Sequence, residues 1–135
     1  MQIDPMRKSG ITIALLIMIA IVVSVCLSNS EAPVDLSAPR ENSDEGVKIT
    51  VTYLPDITDA TAFDIQVTSH KDYNDDFRNN SYLRDPSGKT YEPLSYEGEG
   101  GHHARGTLRF PKVESKRFEL GIKDVAEVKE RVFKW

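Results

Sequence analysis

From Val47 onward, apolar and polar residues alternate with a period of two. Ile49, Val51 and Tyr53 alternate with Lys48, Thr50 and Thr52; Phe63, Ile65 and Val67 alternate with Asp64, Gln66 and Thr68. Leu108 and Phe110 follow the same rhythm, as do Phe118, Leu120 and Ile122, and at the end of the chain Phe133 and Trp135 share a face. A period of two puts one set of side chains into a core and leaves the other in water, so these segments read as strands of antiparallel sheets. After residue 46 no stretch keeps a helical period, although "DVAEVKER", from Asp124, reads as one helical turn. Turns punctuate the strands. In "DPSGK", Pro86 suits the second position of a type I turn, and Gly88 falls where a positive φ is needed. Pro55–Asp56 and Pro111 end strands. Short strands at this spacing, about seven of them, predict an all-β, immunoglobulin-like antiparallel sandwich over residues 47–135.

The N-terminal part has a different pattern. Residues 11–27, "ITIALLIMIAIVVSVCL", carry no charge and are apolar apart from Thr12 and Ser24. As a helix they would rise about 25 Å, a little under the roughly 30 Å of a hydrocarbon core. Arg7 and Lys8 precede the run, while Glu31 and Asp35 follow it, which places the N-terminus inside and the rest outside. Residues 1–27 therefore read as a membrane anchor or a signal segment. Three fates fit: retention as one transmembrane helix, cleavage and secretion, or lipidation at Cys26. The stretch "VSVC" resembles a lipobox, with Val25 where Gly or Ala is usual. Residues 28–46 are polar and acidic, with Pro33 and Pro39, and read as a disordered linker lifting the domain off the membrane.

Charge narrows the partners. The chain carries a formal net charge of −4, and without Arg7, Lys8 and Asp4 the remainder is more acidic still. Nucleic acid and an anionic lipid surface are poor partners for such a domain. Cys26 is the only cysteine, so no disulfide can form within the chain, and stability must come from a packed core.

Chemistry concentrates in "GEGGHHARG", residues 98–106, where His102 and His103 stand behind three glycines. Counting strand reversals puts this loop at the same end of the sandwich as His70, with Asp72, Asp75, Asp76, Glu97, Glu99, Asp124 and Glu127 around the rim. Imidazoles with a carboxylate suit zinc or copper, so His70, His102, His103 and Asp72 form a candidate metal site, on the view that the glycines let adjacent histidines turn toward one ion. The alternative is one histidine packed beneath the loop and the other in water. Asp72–Asp76 lacks the order of a calcium loop, and "GKT" at 88–90 is not a phosphate-binding loop. "NNS" makes Asn79 a candidate N-glycosylation site. No motif for a catalytic nucleophile surrounds any serine, and no general base accompanies the histidines.

"LRDPSGKTYEPLSYEGEGGHHARGTLRFP", followed by "KDVAEVKERVFKW", resembles a family of small domains on exported or membrane-anchored prokaryotic proteins. Its hallmarks are a Gly-Gly-His-His loop, a Gly-Thr-Leu-x-Phe-Pro strand and a terminal Glu-Arg-Val-Phe-x-Trp. The resemblance spans residues 47–135 and implies an immunoglobulin-like sandwich and an exported location, with no activity attached. The expectation is an exported, membrane-anchored, non-enzymatic interaction or structural module with an unknown protein partner. A divalent-metal-binding domain is the alternative, and a hydrolase using metal-bound water fits least.

Overall fold

The computed structural model describes residues 32–135. The expected N-terminal helix, its membrane contact and the lipidation site Cys26 lie outside the described residues. The remainder is all-β and consists of two antiparallel sheets. Its strands are β1 (Arg40–Asp44), β2 (Val47–Tyr53), β3 (Thr61–Ser69), β4 (Ser81–Arg84), β5 (Thr90–Tyr91), β6 (Ser95–Gly98), β7 (Arg105–Phe110), β8 (Glu119–Val125) and β9 (Val128–Lys134). One helical turn, α1 (Phe77–Asn80), precedes β4. The first sheet has the order β1-β2-β3-β7-β6 and the second β5-β4-β8-β9.

The alternating residues meet between the sheets. Ile49, Val51, Phe63, Ile65, Leu108 and Phe110 come from the first; Leu83, Leu120, Ile122 and Phe133 come from the second, and all belong to one buried cluster. Aromatic rings fill one region of it. Phe63 meets Phe118 edge-on at 5.7 Å between centroids and lies 5.0 Å from Trp135. Such pairs add about 0.5–1.5 kcal/mol each beyond simple burial.

Three features depart from the sequence expectation. Residues 28–46 were expected to be a linker throughout, but Arg40–Asp44 form β1, paired in register from Arg40↔Val51 to Asp44↔Val47. The two-residue loop Glu45–Gly46 has φ of 49° and 75°, the positive values of a tight hairpin turn. The folded unit thus begins before Val47. Second, the "DPSGK" turn is expected to join one strand to another through "KTYEPL", but only Thr90–Tyr91 of that stretch pair, as β5. Pro93 offers no backbone donor; the chain leaves the second sheet after β5 and enters the first as β6, with Leu94 N donating to Arg109 O at 2.7 Å. Third, "DVAEVKER" is a hairpin, not a helical turn. Val125 pairs with Val128 across Ala126 and Glu127, at φ of 53° and 64°. Its charges have a helical look, and neither loop residue is one of the Asn or Gly usual in such a turn, which is why the pattern misleads.

The "DPSGK" turn forms as expected. Gly88 N donates to Asp85 O at 3.0 Å, and Gly88 takes φ +87°. The Asp85 carboxylate accepts from Ser87 N at 2.9 Å, Lys89 N at 3.1 Å and the Tyr91 hydroxyl at 2.9 Å. The Ser87 hydroxyl, first among these donors, helps hold the carboxyl below its usual range.

The largest fully buried side chain is a charged one. Arg131 lies on the same face of β9 as Phe133 and is only 1% exposed. Its guanidinium crosses between the sheets. Nη1 donates to Asn42 Oδ1 at 2.7 Å and to Val47 O at 3.0 Å; Nη2 donates to Asp44 O at 3.1 Å and Val125 O at 3.4 Å. Burial pushes its pKa down, and the charge of Asp44 pulls it partly back. Arg40 on β1 works the other way, with its guanidinium 5.3 Å over the Trp135 ring and Nε donating to Lys134 O at 3.1 Å.

Candidate functional site

The histidine loop lies where strand reversal places it. Beyond the start of β7, the last part of β3 keeps pairing: Val67 N donates to Ala104 O and Ser69 N to His102 O, each at 2.8 Å. This extension of the ladder brings residues 70–76 against 98–104. His102 Nε2 lies 3.0 Å from Asp72 Oδ1. The tautomer with hydrogen on Nε2 donates to the carboxylate. The Tyr73 hydroxyl donates to Gly101 O at 2.6 Å, and Gly101 N donates to Asp75 Oδ2 at 3.2 Å.

These contacts give the glycines a packing role. A Cβ on Gly100 would stand 2.0 Å from Asp75 Oδ2, and Gly101 has φ +94°. The pair therefore seats a carboxylate from the neighbouring loop. Burial and the nearby Asp75 charge push the Tyr73 phenol up to about 12. The expected metal set is only partly assembled: His102 and Asp72 touch. His70 binds Gly46 O through its backbone N at 3.2 Å, and the rings of His70 and His103 make no hydrogen bond among the described residues. All three histidines are exposed, so none packs beneath the loop; Ala104 and Tyr73 occupy that place. Among the described residues, no group of three or more His, Cys, Asp or Glu side chains is placed to hold a metal ion.

Asn79 sits on α1 and not on an open loop. Asp76 caps this turn, accepting from Asn79 N at 3.2 Å and from Asn79 Nδ2 at 2.7 Å. The amide that glycosylation would modify is thus engaged by a carboxylate.

A second site, which the sequence did not suggest, lies on the outer face of the four-stranded sheet. A cleft of about 470 Å³ runs over β4, β5 and β8 and reaches α1. The floor is Tyr82, directly opposite Gly121 in the β4–β8 register. A Cβ on Gly121 would meet the Tyr82 ring at 2.1 Å, so the ring lies flat on the bare glycine. The Tyr82 hydroxyl donates to the Glu130 carboxylate. Burial, then that hydrogen bond and charge, push the Tyr82 phenol up to about 12.

Cations surround the ring. Arg84 Cζ and Lys123 Nζ each lie 5.2 Å from its centroid, within cation–π range. Arg84 also pairs with Glu119 at 3.4 Å. Lys123 and Arg78, which also line the cleft, have no carboxylate partner among the described residues. Tyr91, Thr90 and Glu92 form the wall toward β5. Asn80 Nδ2 and Ser81 Oγ, both on lining residues, are buried without a hydrogen-bond partner. The sequence signal for this face is its own alternation, with Tyr82 and Arg84 flanking core Leu83, and Lys123 next to core Ile122. That rhythm shows which residues face outward. It does not show that they converge, because convergence depends on the β4–β8 register.

No protein-family model, no curated protein and no solved structure matches this chain.

Proposed function

We propose that this chain is an exported, membrane-anchored, non-enzymatic binding module of immunoglobulin-like topology, acting at the cell surface. The observation that carries the reading is the open cleft on the outer face of the four-stranded sheet, built from side chains on rigid strands. Strand order supports the immunoglobulin-like assignment. With β1 and the two-residue β5 set aside, the sheets run β2-β3-β7-β6 and β4-β8-β9. In order along the chain these are strands one, two, five and four against three, six and seven, as in ABED facing CFG. The uncharged run at 11–27, with Arg7 and Lys8 before it and an acidic stretch after it, supports the anchor and its sidedness. The resemblance of the Gly-Gly-His-His loop and the terminal "ERVFKW" to exported domains agrees. Interaction modules of this architecture bind through faces, loops and edges without chemical turnover.

Fractionation of cells producing the full chain tests the proposal. The chain is expected with the membranes, and the mass of the mature protein then separates retention from lipidation. Recovery from the medium, with a mass lacking the apolar run, marks a secreted form of the same exported module. Recovery from the cytosol overturns the reading.

A second reading, zinc or copper binding, is favoured by one contact, His102 Nε2 to Asp72 Oδ1 at 3.0 Å. The exposed rings of His70 and His103 stand on the adjoining loops and would have to turn toward that pair.

A further inference from the structure

We infer that the cleft over Tyr82 is a binding site for an acidic saccharide, a sugar chain bearing carboxylates. The inference rests on the binding-module reading and names the ligand class for its cleft. Three observations converge on this chemistry. Arg78, Arg84 and Lys123 line the cleft of a protein whose net charge is −4, and two of the three have no carboxylate partner among the described residues. Two cleft cations without an ion-pair partner among the described residues, in an otherwise acidic chain, favour an anion. Next, Thr90 stands exposed in the lining, where its hydroxyl donates to an acceptor-rich ligand.

The third observation separates a sugar acid from a bare anion. Glu92 and Glu130 also line the cleft. They accept hydrogen bonds from hydroxyl groups, which a saccharide supplies in greater number than inorganic phosphate does. The Tyr82 and Tyr91 rings, with Arg84, Lys123 and Lys89 over them, form the aromatic part of the lining. The volume, about 470 Å³, falls in the range of small-ligand sites. The floor residue Tyr82 stands on β4, already paired by β5 and β8 on its two sides, so the floor offers no free strand edge to a peptide.

The test uses the full chain in detergent micelles and measures binding of a trigalacturonate probe by calorimetry. The expected result is saturable binding that weakens at least about tenfold in Arg78→Glu and in Lys123→Glu. Lys112→Glu, in the segment after β7, should leave it unchanged. Equal melting temperatures of variants and parent show that the fold is kept, and Arg78→Gln provides a milder second substitution. Three outcomes overturn the inference: no trigalacturonate binding, binding indifferent to Arg78 and Lys123, or equal binding of neutral trigalactose or inorganic phosphate. Any of these occurring in a chain that fractionates with membranes removes the saccharide while leaving the exported binding module intact. A cytosolic chain removes the module itself.

Discussion

Arg131 on β9 donates through Nη1 to the backbone carbonyl of Val47 on β2, at 3.0 Å, across the interior between the sheets. Together with its bonds to Asn42 and Asp44, this ties the β1–β2 hairpin to the last strand. Arg131→Met fills most of the volume but leaves the acceptors of Asn42, Asp44 and Val47 without a donor. The expected loss is about 2–4 kcal/mol by denaturant titration. Arg131→Lys should fall between, because an ammonium cannot reproduce the planar fork. An Arg131→Met protein as stable as the parent would show that the guanidinium does not hold the hairpin.

Arg131 also shows how far the sequence could be read. The alternation that marks Phe133 and Trp135 as inward also marks Arg131, two residues earlier. Charge makes it look like a surface residue; only the carbonyls converging from β1, β2 and β8 explain its burial. The core strands were legible because their apolar residues keep strict period. β1 was not, because "RENSD" has no apolar face and is ordered by pairing with β2; Gly46 was its one local signal. That the histidine loops share one end of the sandwich could be deduced from strand reversal; that they touch depends on the pairing of β3 with β7. The seating of Asp75 on Gly100 and Gly101 could not, nor the cleft, since both depend on register between segments distant in sequence.

The turn between β8 and β9 should be open to improvement. Glu127 holds φ +64°, a left-handed conformation that costs a side-chain-bearing residue about 1–2 kcal/mol. Glycine removes that cost and gives back part of it through its freer unfolded chain. The Lys71–Glu127 contact at 4.0 Å is exposed and contributes little. Glu127→Gly is therefore expected to raise stability by about 0.5–1 kcal/mol, read as a higher melting temperature.

Alkaline pH offers a test of the Tyr82 environment. Its phenol is raised from 10.0 to about 12, so the neutral form is favoured in the folded state. The resulting stability is fully present below pH 10 and is lost as pH rises toward 12. Tyr82→Phe keeps the ring over Gly121 but has no titrating hydroxyl. Its melting temperature should fall less steeply over that interval than the parent's, with Tyr73 accounting for a remaining part. Parallel profiles for the two proteins would contradict the assignment.

The zinc or copper reading turns on His102 and Asp72. Under it, either metal raises the melting temperature of the full chain, and His102→Ala and Asp72→Ala each abolish the rise. Without metal, both substitutions should change stability little, because the side chains are half or fully exposed. A full chain indifferent to both metals removes this reading and leaves the binding module in place.

The central claim is that the two-sheet domain faces the outside of the cell. Lys116 is exposed in the segment between β7 and β8, so Lys116→Cys presents a thiol without disturbing a strand. A membrane-impermeant maleimide applied to intact cells should label this variant before lysis, above the background from Cys26 in the parent chain. Labelling only after the membrane is opened would place the domain in the cytoplasm and contradict the account.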